Sequence, residues 1–250
     1  MQRVVFRVWL MVATTLVGAM IPNQVWTADA DRFRTQRERL VSDIEADVQE
    51  TSERIGRKAL APMVMEAMRL VQRHEFVPEA QKPYAYENRP LPIGYGQTIS
   101  QPYIVAIMTD LADAAPGKTA FEVGTGSGYQ AAILAACGTQ VFTMEIIPEL
   151  AQEAKGHLQR LGYQNVEVRA GDGYHGWPER APFDLILVTA AGSHIPPPLV
   201  AQLKPKGKMV IPVGGPFMTQ QLMLVEKTED GKVTTRQLLP VAFVPLTGGH

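Results

Sequence analysis

Residues 121–129 read Phe-Glu-Val-Gly-Thr-Gly-Ser-Gly-Tyr, with three glycines at alternate positions directly after an apolar run at residues 120–123. The apolar run is typical of a buried strand, and residues 129–137 are typical of a helix. A glycine-rich turn between a strand and a helix lies at the carboxyl edge of an open α/β sheet, where such sheets bind ligands. Glycine allows a positive φ and a close approach of the ligand to the backbone. This stretch therefore predicts a ligand-binding loop.

The chain after this loop continues to alternate between strands and helices. Further apolar runs predict buried strands at residues 141–144, 166–168, 185–188 and 209–213. The segments between them predict helices at residues 148–161 and 197–203. Two more β-rich segments, 222–227 and 234–244, are joined by a turn at Glu229-Asp230-Gly231 and predict an antiparallel hairpin. We predict an α/β fold with a doubly wound, mostly parallel, Rossmann-like sheet, helices on both faces and a C-terminal antiparallel hairpin.

Two amphipathic helices are predicted before the sheet. Between residues 31 and 56 the apolar residues recur at helical spacing, as in Leu40, Ile44 and Val48. Pro62 suits the first turn of a second helix. A turn-rich segment at residues 78–102 follows and is interpreted as an ordered loop region.

The composition excludes several classes of protein. The chain has 250 residues and a net charge of -1, so it offers no general attraction for phosphate backbones, and nucleic-acid binding is not expected. Cys137 is the single cysteine, and the five histidines are scattered along the chain. An intramolecular disulfide and a multi-cysteine zinc site are therefore excluded, and no metal site is expected.

The first thirty residues are typical of a secretory signal peptide. Arg3 and Arg7 precede an uncharged stretch at residues 8–21, and Pro22 and the small-residue pattern Ala28-Asp29-Ala30 follow it. We predict cleavage after residue 30, a periplasmic or secreted protein, and no stable membrane insertion after cleavage. The alternatives are an uncleaved anchor, or a start codon placed too early and a cytoplasmic protein.

Three acidic residues lie at or just after the carboxyl ends of predicted strands: Glu122, Glu145 and Asp172. A pyrophosphate bound at the helix N-terminus would be repelled by a carboxylate at Glu122. S-adenosylmethionine has no phosphate and carries a sulfonium and an ammonium group, so carboxylates favour it. Glu145 is placed to accept the ribose hydroxyls, and Asp172 to accept from the adenine amino group. The pattern favours S-adenosylmethionine over a dinucleotide; the alternative is a structural turn with ordinary surface acids.

Motifs along the chain resemble those of the protein-L-isoaspartate (D-aspartate) O-methyltransferase family. They are residues 73–78 (RHEFVP), 94–102 (GYGQTISQP), 122–128 (EVGTGSG), 171–173 (GDG), 183–191 (FDLILVTAA), 203–207 (LKPKG) and 244–247 (VPLT). The resemblance extends over about residues 39–247. Tyr174 departs from the family pattern, in which an arginine commonly follows the Gly-Asp-Gly motif.

This resemblance implies methyl transfer from S-adenosylmethionine to the free α-carboxylate of L-isoaspartyl residues, and of D-aspartyl residues, in damaged proteins. It implies that Ser100 is catalytic and that Thr98, Ile99 and Ser100 bind the substrate. The cofactor contacts that it implies are Glu122, Gly124, Gly126, Gly128, Glu145, Asp172, Gly173 and Thr247. We expect a monomeric domain at residues 31–250, with N-terminal helices and the substrate-side loop in residues 31–102 and the cofactor-binding core in residues 103–250.

The implied chemistry agrees with the residue inventory. A carboxylate acceptor has a pKa of about 3.5–4, so it is ionised at neutral pH and needs no general base. Ser100 is then interpreted as a hydrogen-bond donor that orients the acceptor, and His194 as a loop residue without a catalytic role. The alternatives are another O-methyltransferase, for instance of a small-molecule carboxylate, and an inactive nucleoside-binding module.

Overall fold

The computed structural model describes residues 33–215 and 219–249. The strands of these residues are β1 (Leu91–Gly94), β2 (Gln97–Ile99), β3 (Thr119–Val123), β4 (Gln140–Glu145), β5 (Val166–Ala170), β6 (Phe183–Val188), β7 (Leu203–Val213), β8 (Gln220–Lys227) and β9 (Val233–Val241). The helices are α1 (Arg34–Ile55), α2 (Pro62–Leu70), α3 (Pro102–Leu111), α4 (Tyr129–Ala136), α5 (Pro148–Arg160) and α6 (Pro197–Ala201). Short 3₁₀ turns lie at Arg73–Phe76, Glu79–Tyr84 and Gly173–His175.

A seven-stranded sheet in the order β5-β4-β3-β6-β7-β8-β9 forms the centre of the molecule. Strands β3 to β7 pair in parallel, whereas β8 and β9 pair antiparallel. The predicted doubly wound sheet with its C-terminal hairpin is therefore confirmed. Because β3 lies between β4 and β6, the connections leave it in opposite directions, and open sheets bind ligands at such a switch point.

The two faces of the sheet are covered unequally. Apolar side chains of α1 to α5 and one face of the sheet form the larger core cluster, which includes Leu40, Ile44 and Ile107. The opposite face packs a smaller cluster, which includes Phe121, Phe183 and Leu199 from α6. The predicted N-terminal helices are present as α1 and α2. Their apolar stripes supply buried residues to the larger cluster, because one face of an amphipathic helix is removed from water.

The structure corrects two local predictions. Strand β7 begins at Leu203, six residues before the predicted start, because Leu203 pairs with Phe183 of β6. A register shift lies between this pair and the next pair, Leu185 with Lys208. The polar residues in the shifted part conceal the strand from a hydrophobicity pattern. The segment predicted as a loop before residue 102 contains the antiparallel pair β1 and β2.

The proposed signal peptide at residues 1–30 lies outside the described residues. Within residues 33–215 and 219–249 no helix is long and apolar enough to cross a bilayer.

Candidate active site

A cavity of about 570 Å³ lies at the carboxyl ends of β3, β4 and β6, at the switch point of the sheet. Open α/β sheets bind small ligands at this place. Its wall is formed by Gln97, Thr98, Val123, Gly124, Gly126, Met144, Glu145, Ile146, Ile147, Gly173, Thr189, Ala190, Val244, Pro245, Leu246 and Thr247. We call it the glycine-loop cavity.

Gly124 lines this cavity with its main-chain atoms. Its φ is +92°, and a Cβ atom added there would lie 2.5 Å from Thr189 Oγ1. The Thr189 hydroxyl donates to the Gly124 carbonyl at 2.6 Å and so holds this turn against β6. Only glycine satisfies both the left-handed backbone and the close approach of Thr189. Glycine is therefore required at position 124 both by the conformation of the turn and by the packing of Thr189 against it.

Glu145 ends β4 and connects its carboxylate to the glycine loop. Its Oε2 accepts from Gly126 N at 2.8 Å, and its Oε1 accepts from Ile147 N at 3.1 Å. The side chain is 5% exposed and lines the cavity. A carboxylate held by two backbone donors is fixed in orientation, and each oxygen keeps a lone pair for a further donor such as a hydroxyl.

The other two predicted glycines differ in position. Gly173 lines the cavity, and a Cβ atom there would lie 2.5 Å from Val123 Cγ1. Gly128 does not line the cavity; it precedes α4 with φ +90°, and a Cβ atom would lie 3.2 Å from Leu158 on α5. Gly128 therefore allows helices α4 and α5 to approach each other, which differs from the ligand contact that the motif suggested.

The structure does not bring Glu122 to the cavity wall. Side chains alternate along β3, so Glu122 points away from the face that carries Phe121 and Val123. It is completely buried, and the Thr143 hydroxyl lies 2.5 Å from its Oε2. Desolvation, together with a smaller effect of the charge of Glu145, raises the pKa of Glu122 to about 8, although the hydrogen bond from Thr143 opposes the shift. Glu122 is therefore a largely protonated carboxyl within the sheet, and the cofactor contact implied for it stays a prediction.

Asp172 also lies outside the lining of the glycine-loop cavity. Its Oδ1 accepts from Tyr174 N at 3.0 Å, and its Oδ2 accepts from Gly249 N at 3.3 Å. Asp172 therefore caps the short 3₁₀ turn and connects it to the C-terminal segment. Tyr174, at the position that departs from the family pattern, lies with its hydroxyl 3.0 Å from His194 Nε2.

A second cavity, of about 1010 Å³, adjoins the first. Its wall is formed by Pro90, Thr98, Ser100, Gln101, Ile104, Thr189, Pro240, Val241, Ala242, Phe243 and Val244. We call it the Ser100 cavity. Thr98, Thr189 and Val244 line both cavities, so the two spaces meet at these residues. Ile99 lies between Thr98 and Ser100 but is buried in the core, because side chains alternate along β2.

The C-terminal segment closes the glycine-loop cavity on one side. Ala191 N donates to Val244 O at 2.8 Å, and Leu246 N donates to Ala191 O at 2.8 Å. These bonds hold the chain after β9 beside the end of β6, and they place Thr247 in the cavity wall as the family resemblance implied.

Sequence reasoning missed Thr189 and Val244 as site residues. Thr189 follows the fourth predicted core strand, and this position at the carboxyl edge of the sheet was an available indication. Val244 is marked only as the first residue of the motif at residues 244–247, and it reaches the site because the chain returns across β6 after β9.

Comparisons with known proteins agree with this geometry. Residues 49–250 match the family protein-L-isoaspartate(D-aspartate) O-methyltransferase. The chain is 64% identical to protein-L-isoaspartate O-methyltransferase 2 of Syntrophobacter fumaroxidans over 94% of this chain and 95% of that protein. It is 56% identical to protein-L-isoaspartate O-methyltransferase 1 of Cupriavidus necator over 96% and 93%.

Solved structures give the same result. A protein-L-isoaspartate O-methyltransferase structure superposes with a TM-score of 0.75 at 26% identity, over 85% of this chain and 66% of that one. A Plasmodium falciparum structure assigned to the same activity, in complex with S-adenosyl-L-homocysteine, gives a TM-score of 0.68 at 25% identity over 82% and 97%.

Proposed function

The chain belongs to the protein-L-isoaspartate(D-aspartate) O-methyltransferase family, and on this basis we propose which of its two cavities binds the methyl donor and which binds the acceptor. The protein is an S-adenosylmethionine-dependent enzyme that methylates the free α-carboxylate of L-isoaspartyl residues in damaged proteins. The glycine-loop cavity holds S-adenosylmethionine, and the Ser100 cavity receives the isoaspartyl residue. The observation that carries this division is the junction of the two cavities at Thr98, Thr189 and Val244.

The glycine-loop cavity fits the methyl donor. Gly124 and Gly126 line the cavity without side chains, and the fixed carboxylate of Glu145 is an acceptor for ribose hydroxyls. Its apolar residues, Met144, Ile146 and Leu246, provide walls for an adenine ring. Thr247 encloses the same space from the C-terminal segment.

The reaction needs placement more than acid–base chemistry. S-adenosylmethionine supplies an electrophilic methyl group and leaves as a neutral thioether. The acceptor carboxylate is already ionised at neutral pH, so the protein removes no proton. Its task is to hold the carboxylate in line with the methyl group and to exclude water. Ser100 donates a hydrogen bond that orients the carboxylate.

A labelling experiment tests this function. The purified protein is incubated with methyl-labelled S-adenosylmethionine and either an isoaspartyl peptide or its normal aspartyl counterpart. A base-labile methyl ester on the isoaspartyl peptide alone is the expected result. Labelling of small carboxylic acids instead would indicate the alternative acceptor class. Cofactor binding without turnover on any carboxylate would indicate an inactive nucleoside-binding module.

Glu145→Gln is expected to weaken S-adenosylmethionine binding by about 1–2 kcal/mol, because the ribose hydroxyls lose a charged acceptor. Glutamine keeps the size of the side chain but replaces one accepting oxygen by an amide nitrogen, so the effect reports the lost charge together with the loss of one backbone hydrogen bond. The dissociation constant is measured by titration calorimetry. Glu149→Gln, at an exposed position in the first turn of α5, is the matched control. An unchanged affinity in Glu145→Gln would refute the ribose assignment.

Ser100→Ala is expected to lower methyl transfer roughly tenfold or more, because an orienting donor to a charged group is worth about 1–3 kcal/mol. The affinity for S-adenosylmethionine should remain within about twofold, since Ser100 lines only the second cavity. The measurements are initial rates on an isoaspartyl peptide and calorimetry with the cofactor. Full turnover in the variant would leave Ser100 with a structural role only.

We further propose that the enzyme is exported and loses residues 1–30. Two arginines, an uncharged stretch, a helix-breaking proline and a small-residue pattern occur in the order of a secretory signal. The family match begins only at residue 49, so the matched region does not include this segment. The intact mass of protein recovered from each compartment tests the proposal. A mature protein starting near residue 31 outside the cytosol is expected, and full-length protein found only in the cytosol would overturn it.

A further inference from the structure

Arg73 is a completely buried arginine that lies outside the sheet, in the 3₁₀ turn Arg73–Phe76. Arginine is rarely fully buried unless it is paired with an acid. Desolvation lowers the pKa of Arg73 to about 10, while the neighbouring Tyr129 and Tyr86 raise it. The side chain therefore stays charged at neutral pH.

The contacts of Arg73 are to main-chain carbonyls and an aromatic ring. Its Nη2 donates to Ser100 O at 2.7 Å and to Arg89 O at 3.4 Å. The guanidinium carbon lies 4.8 Å from the centre of the Tyr129 ring, within the range of a cation–π contact. Within the described part of the chain, the other nitrogens, Nε and Nη1, have no hydrogen-bond partner.

These contacts converge on the Ser100 cavity. Ser100 lines it, and Arg89 directly precedes Pro90, which also lines it. Tyr129 is the first residue of α4, directly after the glycine loop. Arg73 thus contacts two separate stretches of the cavity wall on the side away from the cavity. It also packs against Tyr129, at the start of the helix that follows the glycine loop. A planar guanidinium suits this task because its donors have a fixed relative geometry.

We infer that Arg73 is a positioning residue for Ser100: its hydrogen bond fixes the Ser100 carbonyl and thereby the direction in which the Ser100 side chain meets the acceptor carboxylate. This inference rests on the proposed role of Ser100 in methyl transfer. Arg73 itself lines neither cavity. Its effect on the reaction should therefore pass through Ser100 and disappear when the Ser100 hydroxyl is removed.

Arg73→Lys tests the positioning role. Lysine keeps a cation near Tyr129, but its shorter side chain and rotating ammonium group lack the planar N–H geometry with which Nη2 donates to Ser100 O and Arg89 O. We expect kcat on an isoaspartyl peptide to fall about tenfold, with the affinity for S-adenosylhomocysteine within about twofold of the original. The stoichiometry of S-adenosylhomocysteine binding gives the fraction of folded enzyme, and the rates are divided by that fraction. Arg69→Lys, at an exposed arginine of α2 that pairs with Glu45, is the control and should leave kcat unchanged.

A double-mutant cycle separates positioning from a general structural role. The rates of Arg73→Lys and Ser100→Ala are compared with the rate of the enzyme that carries both changes. If Arg73 acts through Ser100, the double variant is at most about twofold slower than Ser100→Ala alone. The inference would be overturned if the losses of rate in the two single variants were additive in the double variant. It would also be overturned if Arg73→Lys lowered the affinity for S-adenosylhomocysteine by as large a factor as it lowers kcat.

Arg73→Gln is carried through the same cycle, so that the outcome does not depend on the folding of one variant. A wild-type protein without activity on the isoaspartyl peptide would refute the proposed function instead. An active wild type with additive losses refutes only the role of Arg73.

Discussion

Gly124→Ala is expected to weaken S-adenosylmethionine binding about a hundredfold and to destabilise the fold by about 2 kcal/mol. The backbone of Gly124 has a φ of +92°, which costs a residue with a Cβ atom free energy. The added methyl group would also lie 2.5 Å from Thr189 Oγ1, whose hydrogen bond to the Gly124 carbonyl holds the turn. Either the turn or the Thr189 side chain must therefore move, and both line the cavity that the donor occupies.

Titration calorimetry and urea unfolding measure the two effects of Gly124→Ala. Gly156→Ala is the matched control, because Gly156 lies within α5 and a Cβ atom there meets no other atom within 4 Å. Alanine is the better helix former, so this control should gain up to about 1 kcal/mol of stability and bind the cofactor normally. A Gly124→Ala protein with unchanged affinity would show that the glycine loop does not contact the donor.

Glu122→Gln is expected to remove a large pH dependence of stability. Burial raises the pKa of Glu122 from 4.5 to about 8 in the folded protein. Between these values the folded state keeps a proton that the unfolded chain releases, so wild-type stability falls as the pH rises from 4.5 to 8. Glutamine is neutral throughout and avoids the loss. We expect the variant to gain on the order of 3 kcal/mol relative to wild type across this window.

Urea unfolding at intervals between pH 4.5 and 8 measures the effect of Glu122→Gln. The difference between the two stability curves reports this carboxyl and its coupling to Glu145, because the remaining groups are the same in both proteins. Glu149→Gln, at an exposed position, should give a curve parallel to that of the wild type. Parallel curves for Glu122→Gln and wild type would mean that Glu122 is ionised in the folded protein.

Local patterns were sufficient for most of the fold. Buried strands of a parallel sheet appear as short apolar runs, and the helices between them show helical spacing, so neither needs distant contacts to be recognised. The turn at residues 229–231 is equally local: Gly231 N donates to Thr228 O at 3.0 Å within the loop itself. The start of β7 and the pair β1 and β2 were missed because their residues are polar or rich in proline and glycine.

The residues of the site, like the elements of the fold, include some that local patterns predict and some that depend on contacts between distant segments. Glycines and acids at the ends of strands are visible in the sequence, and the carboxyl edge of a parallel sheet brings such residues together. The contact of Arg73 with Ser100 was not predictable, because 27 residues and two strands separate them. Thr189 belongs to the motif at residues 183–191, but its hydrogen bond to the Gly124 carbonyl is decided by the tertiary structure.

Glu122 and Glu145 show most directly what sequence alone can decide. Both are acids near the carboxyl ends of neighbouring parallel strands, and their spacing from the glycine loop supports a role for each at the cavity. The family, the sheet and the existence of a binding loop follow from such patterns, which depend on residues close in sequence. Only the tertiary structure separates the two acids. Glu145 faces the cavity and is held by Gly126 N and Ile147 N, whereas Glu122 is enclosed in the sheet beside Thr143. Burial raises the pKa of Glu122, and that burial is decided by packing between segments distant in the chain.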